Sequence, residues 1–146
     1  MQHIETNKMN YKITICHPDK KEIETVPRNY NIIEAKEFFN NYQWKKELEL
    51  MSSMKIDDVQ YNPSIRFTNI SNNISLELTA EIKNEKISFS LWYERPKMTK
   101  ILFGILGEKK KMQLIEKWNF NFESSQLHLS SFLNQEYDKV EKVMND

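Results

Sequence analysis

Residues 74–94 constrain the fold of this chain more than any other segment. Apolar and polar residues alternate on both sides of a short polar turn, Asn84-Glu85. Because side chains alternate across a strand, one antiparallel register alone collects the apolar residues on one face. That register predicts four apolar pairs: Ile82–Ile87, Ala80–Phe89, Leu78–Leu91 and Leu76–Tyr93. The other face carries the pairs Glu81–Ser88, Thr79–Ser90, Glu77–Trp92 and Ser75–Glu94, so that Trp92 is its one large aromatic side chain.

Further strand patterns flank this hairpin. Residues 64–70 predict a strand, and a tight turn at Asn72-Asn73 would place Phe67 opposite Leu78 and Ile65 opposite Ala80. Two short N-terminal strands are predicted at residues 11–15 and 22–26, with Pro27 ending the second. C-terminal to the hairpin, the sequence predicts a strand over residues 101–106, a tip at residues 107–110 and a strand over residues 112–122.

Two segments have helical patterns. Asn31 with Glu34 three residues later is typical of a helix N-cap, and it predicts a helix over residues 32–45. The apolar residues at positions 48–51 could extend this helix or form a short strand. A second helical pattern follows Ser124-Ser125 and reaches Met144, and Asn134-Gln135 could divide it into two helices.

Together these patterns predict one α+β domain over residues 1–146. We expect an antiparallel β-meander of four to five strands, with a helix in the N-terminal half and a C-terminal helix packed on the sheet. A chain of 146 residues with 39% hydrophobic content can bury such a core without disulfides.

The composition excludes several classes of function. Twenty-one basic and 21 acidic residues give a formal net charge of zero, which disfavours a protein that coats nucleic acid or an anionic membrane. Only two glycines are present, too few for a glycine-rich phosphate loop. The apolar runs are too short to cross a bilayer, and residues 1–7 lack the pattern of a signal peptide, so a cytoplasmic protein is predicted.

No set of residues predicts catalysis, and no cofactor or metal is expected. Cys16 and His17 are adjacent, with no second Cys/His pair at zinc spacing, and predict a buried thiol beside a surface histidine. His128 is expected to be a packing residue near a helix start. The carboxylates Glu77 and Glu81 fall on the polar face of the hairpin, where they are expected to be solvated.

The cluster after the hairpin centre is the strongest candidate site. Trp92, Glu94, Arg95 and Lys97 are predicted to bind a protein partner, because Trp and Arg are enriched where interfaces gain most of their energy. Three apolar residues could extend this surface: Leu102, Leu106 and Ile115. The alternative is that the C-terminal helix covers this face and Trp92 belongs to the core.

A lysine run at positions 109–111 is open to two interpretations. At a hairpin tip it could contact phosphate, with Trp92 stacking on a base. A solvated turn that blunts strand pairing is the commoner use of such lysines. With no basic surplus in the chain, nucleic acid is not the expected partner.

Four segments give the chain a family resemblance: Asn62-Pro63-Ser64, residues 92–97, Phe103-Gly104 and residues 132–137. In these segments, and in size and layout over residues 30–144, it resembles small bacterial immunity proteins that are encoded beside polymorphic or contact-dependent growth-inhibition toxins. The resemblance implies a non-enzymatic cytoplasmic α+β domain that binds a cognate toxin domain and blocks its active site. The neutral charge departs from the acidic balance common among inhibitors of basic nuclease toxins.

A second hypothesis is a small-molecule-binding or enzymatic domain with a pocket between a curved sheet and the helices. Its lining would come from Tyr93, Trp118 and Phe120, and its acid from Glu77 or Asp57. A concave site holding a carboxylate with a shifted pKa would favour this hypothesis.

Overall fold

The computed structural model describes residues 7–100 and 108–146. These residues have the α+β class predicted from the sequence, and they form six strands in one antiparallel sheet rather than four to five. The strands are β1 (Tyr11–Cys16), β2 (Glu24–Tyr30), β3 (Ser64–Asn69), β4 (Ser75–Lys83), β5 (Lys86–Lys100) and β6 (Glu108–Phe120). The helices are α1 (Ile32–Asn41), α2 (Trp44–Ser53), α3 (Phe122–Leu133) and α4 (Tyr137–Asn145), and residues Ile56–Asp58 form a short 3₁₀ turn.

The sheet has the strand order β2-β1-β3-β4-β5-β6. The last four strands form a meander, and β1 joins its first strand. The tip predicted at residues 107–110 is wrong from residue 108 onward, because β6 begins at Glu108 and pairs there with β5. The chain leaves the outer strand β2, passes through α1 and α2, and enters β3 on the other side of β1. The N-terminal pair of strands thus belongs to the same sheet as the meander, which is why the sheet is larger than predicted.

The register predicted for residues 74–94 is confirmed. All eight predicted pairs of β4 and β5 are present, from Ser75 opposite Glu94 to Ile82 opposite Ile87. Asn84 and Glu85 form the connection with positive φ angles of 51° and 65°. Two consecutive positive φ values are what the favoured two-residue hairpin turn requires.

The predicted register between β3 and β4 is wrong by two residues. Ile65 lies opposite Leu78, and Phe67 opposite Leu76. The loop has four residues rather than two, because Asn69 donates its backbone N–H to the carbonyl of Ile74 at 2.9 Å and thereby closes the loop. A shift of two keeps every side chain on its predicted face.

The first predicted helix is two helices. Asn31 and Glu34 form the predicted capping box, with hydrogen bonds of 2.8 and 3.1 Å between each side chain and the other's backbone N–H. The chain becomes extended at Tyr42 and starts α2 at Trp44. The Trp44 indole is buried against Phe39 and donates to its carbonyl at 3.3 Å, so burial of this side chain fixes the bend. Residues 48–51 are helical.

The C-terminal pattern divides as the sequence allowed. The chain turns between α3 and α4 at Gln135, which has a φ of 58°. Asn119 also has a positive φ, 74°, where the pairing of β5 and β6 shifts register. This irregularity ends the alternation near residue 120, and Phe122 therefore begins α3 instead of ending the strand predicted over residues 112–122.

One strand prediction is corrected by the structure, and another lies outside the described residues. Pro27 does not end its strand, because β2 continues to Tyr30. A proline is tolerated there since β2 is an edge strand, and the pairing of β1 with β2 is irregular nearby. The strand predicted over residues 101–106 lies outside the described residues.

One face of the sheet forms the core. Phe39 of α1 contacts Phe89 with ring centroids 5.5 Å apart, and Phe132 of α3 contacts Tyr93 at 6.4 Å. The buried cluster also includes residues of the other two helices, Leu48 and Val140. Each of the four helices in the described part of the chain therefore contributes to the core on the Tyr93 face. None of the helices among residues 7–100 and 108–146 is long and apolar enough to span a membrane.

Replacing Glu85 with glycine should stabilise the protein. Glutamate has a penalty at positive φ that glycine lacks, so we expect Glu85→Gly to raise the free energy of unfolding by about 1 kcal/mol. Urea denaturation measures this change. The control Glu81→Gly, inside β4, should lower it by about 0.5–1 kcal/mol. An equal loss for both variants would contradict the turn geometry.

Candidate functional site

The face of the sheet opposite the core carries a pair of tryptophans. Trp92 of β5 and Trp118 of β6 meet edge to face, with ring centroids 5.7 Å apart. The Trp92 indole N–H donates to the Ser90 hydroxyl at 2.9 Å, and Ser90 is buried beneath the pair. Alternation places Trp92 on this face because Leu91 and Tyr93 on either side of it point into the core. The alternative prediction, that the C-terminal helix covers Trp92, is wrong, because α3 and α4 pack on the opposite face of the sheet.

Leu114 lies on the same face of β6 and is separated from Trp118 by the exposed Glu116, which lies opposite Trp92. Leu114 lies opposite Glu94 and is 51% exposed, while Trp118 is 45% exposed. We call Trp92, Leu114 and Trp118 the tryptophan strip. Large apolar side chains exposed together on one face are typical of an interaction surface. Glu94, the second residue predicted to bind a partner, borders the strip.

A polar groove adjoins the strip on the same face. Its volume is about 320 Å³, and it crosses the sheet from β1 to β5. Arg66 and Glu77 face each other within it, with 3.5 Å between Nε and Oε1. The remaining lining residues are Lys12, Thr14, Ile23, Thr68, Asn73, Ser75 and Glu94. The open face therefore combines an apolar half with a polar half that carries both signs of charge.

Glu77 has an unusual environment for a carboxylate on a polar face. Burial raises its pKa above the ordinary value, and the charge of Arg66 and its hydrogen bond offset part of that rise. The sequence pattern predicts a solvated Glu77 side chain on this face, and the structure corrects this prediction. The neighbours Trp92 and Arg66 shield it, since both lie directly opposite it on the adjacent strands.

Arg95 and Lys97 do not share this face. Arg95 lies on the core side and is 7% exposed. Its Nε and Nη2 donate to the Glu141 carboxylate of α4 at 2.9 and 2.7 Å, and its Nη1 donates to the Gln113 carbonyl at 3.2 Å. This hydrogen bonding raises the pKa of Arg95 and lowers that of Glu141. Lys97 is exposed, and its charge also lowers the pKa of Glu141.

A second interaction holds α4 against the sheet. The Lys117 ammonium donates to the backbone carbonyls of Val143 and Asp146 at 2.9 and 3.0 Å. A cation at this position caps the C-terminal end of the helix. Arg95 and Lys117 thus tie α4 to β5 and β6, which is a structural role.

The other predicted apolar neighbours are also distributed over two faces. Ile115 lies opposite Tyr93 and therefore on the core side, while Leu102 and Leu106 lie outside the described residues. Tyr93 is buried in the core, Trp118 is on the open face and Phe120 packs against His128 at 5.1 Å. The three aromatics proposed to line one pocket do not come together, and Asp57 lies in the separate 3₁₀ turn. His128 has the packing contact predicted for it, and burial lowers its pKa.

His17 is buried, which corrects the prediction of a surface histidine. It is 9% exposed, and its Nε2 lies 2.7 Å from Glu24 Oε1 and its Nδ1 lies 3.4 Å from Glu47 Oε1. Its neighbour Cys16 is the predicted buried thiol, and burial raises its pKa. Glu24 and Glu47 reach His17 from β2 and α2, a grouping that no sequence spacing indicates. Among the described residues, no three His, Cys, Asp or Glu side chains have an arrangement that could hold a metal ion.

A second concavity lies at the bend between α1 and α2. It has a volume of about 660 Å³, and its apolar wall comes from Trp44, Phe89 and Phe122. Lys45 and Lys46 are also part of its lining. None of the residues predicted to bind a partner contributes to it.

Comparisons of the chain with protein-family models, curated proteins and solved structures found no match. The open face and its chemistry are therefore the basis for proposing a function.

Removing the Arg95 guanidinium should lower stability. Arg95→Ala leaves Glu141 without its partner and loosens α4, so we expect the free energy of unfolding to fall by about 2 kcal/mol. This loss is smaller than for a fully buried ion pair, because the Glu141 side chain is 39% exposed. Chemical denaturation tests this, with Lys142→Ala on an exposed position of α4 as the control. An unchanged unfolding midpoint for Arg95→Ala would contradict the structural role.

Glu77→Gln should stabilise the protein at neutral pH. The pKa of Glu77 is higher in the folded protein than in the unfolded chain, so ionisation of Glu77 destabilises the folded state. This loss of stability is absent below the unfolded-state pKa and is complete once the pH has risen through the folded-state pKa. The variant should therefore have the higher unfolding midpoint near neutral pH and no advantage in acid, which urea denaturation at both pH values measures. A destabilised variant at neutral pH would show that the contact with Arg66 outweighs the burial.

Proposed function

We propose that this chain is a non-enzymatic protein-binding module of the immunity type, which binds and neutralises a cognate bacterial toxin domain. The observation that carries the proposal is the tryptophan strip on the open face of the sheet. The toxin class comes from the family resemblance of the sequence, and the strip is where such a partner would bind.

The strip has the chemistry of a binding centre. Trp92 and Trp118 offer large, rigid surfaces with one N–H each, and burying aromatic side chains of this kind contributes strongly to binding. The Trp92 N–H is already satisfied by Ser90, so a partner can cover its ring without leaving a buried donor unpaired. Glu94 and the polar groove can supply the polar border that surrounds such centres.

Partner binding should depend on the side chains of Trp92 and Trp118, and their removal should leave the protein folded. We expect Trp92→Ala and Trp118→Ala each to weaken partner binding by about thirtyfold or more, since truncating a central aromatic costs about 2 kcal/mol or more. The measurement is affinity capture from the native cells with the wild-type chain and each variant as bait, followed by titration of the recovered toxin domain.

Leu127→Ala is the matched control, because Leu127 is a large apolar residue 69% exposed on α3. It should retain the partner, and circular dichroism should show that all baits are folded. If the tryptophan variants bind as tightly as the wild type, this face is not the binding site. A partner without toxin activity would overturn the immunity assignment and leave the binding face in place.

The groove favours a second candidate function, the binding of a small polar ligand. Glu77 meets the condition set for that hypothesis, a concave site with a carboxylate whose pKa is shifted. The groove lies on the open face, however, and not between the sheet and the helices. A ligand there would pair its cation with Glu77 and its anion with Arg66. A screen of zwitterionic metabolites by thermal shift, with Arg66→Gln as the control, would detect such binding.

A further inference from the structure

The hairpin of β5 and β6 is longer than the sheet that supports it. Strand β4 pairs with β5 only as far as Glu94, whereas β5 continues to Lys100 and pairs with β6 along its whole extension. Residues 95–100 and 108–113 thus form a two-stranded ribbon beyond the sheet. A two-stranded ribbon is marginally stable in water, because it lacks a third strand to complete its pairing.

The ribbon concentrates positive charge in a chain that is neutral overall. Its two strands contain six basic residues and one acidic residue, Glu108. Arg95 is neutralised by Glu141, but Lys97 lies directly opposite Lys111 and both are exposed. Like charges directly opposite on neighbouring strands are destabilising. The ribbon therefore has a charge imbalance that an anionic partner would relieve.

The outer edge of β6 offers hydrogen bonds to such a partner. β6 is the last strand of the sheet and has 13 residues, and no strand of residues 7–100 or 108–146 pairs with its outer side. Proteins usually keep edge strands short or interrupted, because a long free edge pairs with other chains. On β6 the one described irregularity is near its C-terminal end, at Asn119, so the edge before it is regular.

We propose that an acidic, extended segment of a protein partner adds to the edge of β6 as a seventh strand. Main-chain hydrogen bonds to β6 would supply affinity, and carboxylates on the added strand would face Lys97 and Lys111. Its alternate apolar side chains would pack beside Leu114 and Trp118 on the open face. This inference rests on the proposed function, because it describes how the partner of the tryptophan strip binds.

The test uses a synthetic peptide in which glutamate and valine alternate. Hydrogen–deuterium exchange resolved to single amides is measured on the full chain with and without the peptide. Strand addition protects every second amide of β6, because successive N–H groups of a strand point to opposite sides. The same peptide with alternate amides N-methylated cannot pair and should give no protection. A lysine–valine peptide tests the charge.

Lys111→Glu is the informative variant. It replaces the two like charges of Lys97 and Lys111 with a pair of opposite charges, so the ribbon should remain folded while its positive charge falls. We expect it to weaken binding of the glutamate–valine peptide by about tenfold, since charge reversal changes attraction into repulsion. The control Lys20→Glu alters an exposed lysine in the loop between β1 and β2 and should bind as the wild type does.

Each other outcome overturns the inference. Equal binding of the lysine–valine peptide removes the role of charge, and equal binding of the N-methylated peptide removes strand pairing. Tighter binding of single-stranded oligothymidine than of the acidic peptide assigns the ribbon to nucleic acid. Concentration-dependent dimers with the same amide protection assign the edge to a second copy of the chain. If no peptide protects β6 but the tryptophan variants still lose the partner, strand addition is excluded and the proposed function stands.

Discussion

The strict two-residue alternation of β4 and β5 is the constraint on which the rest of the structure depends. Because Leu78, Leu91 and Tyr93 must all be removed from water together, the sheet has one face that the helices can cover. The opposite face is then left for the polar residues of the same strands and for Trp92. The fold and the candidate binding surface are two results of one pattern.

Much of the fold could be predicted because its signals are local. The hairpin at Asn84-Glu85 and the capping box at Asn31 depend on residues within a few positions of each other. The register of β3 against β4 could not be predicted, because it depends on the length of the loop that contains Asn72 and Asn73. The bend at Trp44 depends on an indole that finds its place only when the sheet is assembled.

Part of the candidate site could also be predicted, because its position follows from local alternation. Alternation placed Trp92 and Glu94 on the open face correctly. The same alternation, followed one residue beyond Glu94, places Arg95 with Tyr93 on the core side. Its partner Glu141 is 46 positions away, so no local pattern indicates the pair. Trp118 joins Trp92 only through the pairing of β5 with β6. The His17 contacts likewise join three separate elements.

The single cysteine gives this protein a practical property. The Cys16 thiol is buried and its pKa is raised, so little of the reactive thiolate is available to alkylating reagents. An introduced cysteine at an exposed position of β6 would then react selectively without removal of the native thiol. Fluorescent or spin labels could be attached at one chosen site, and distances to a bound partner could be measured on an otherwise unaltered chain.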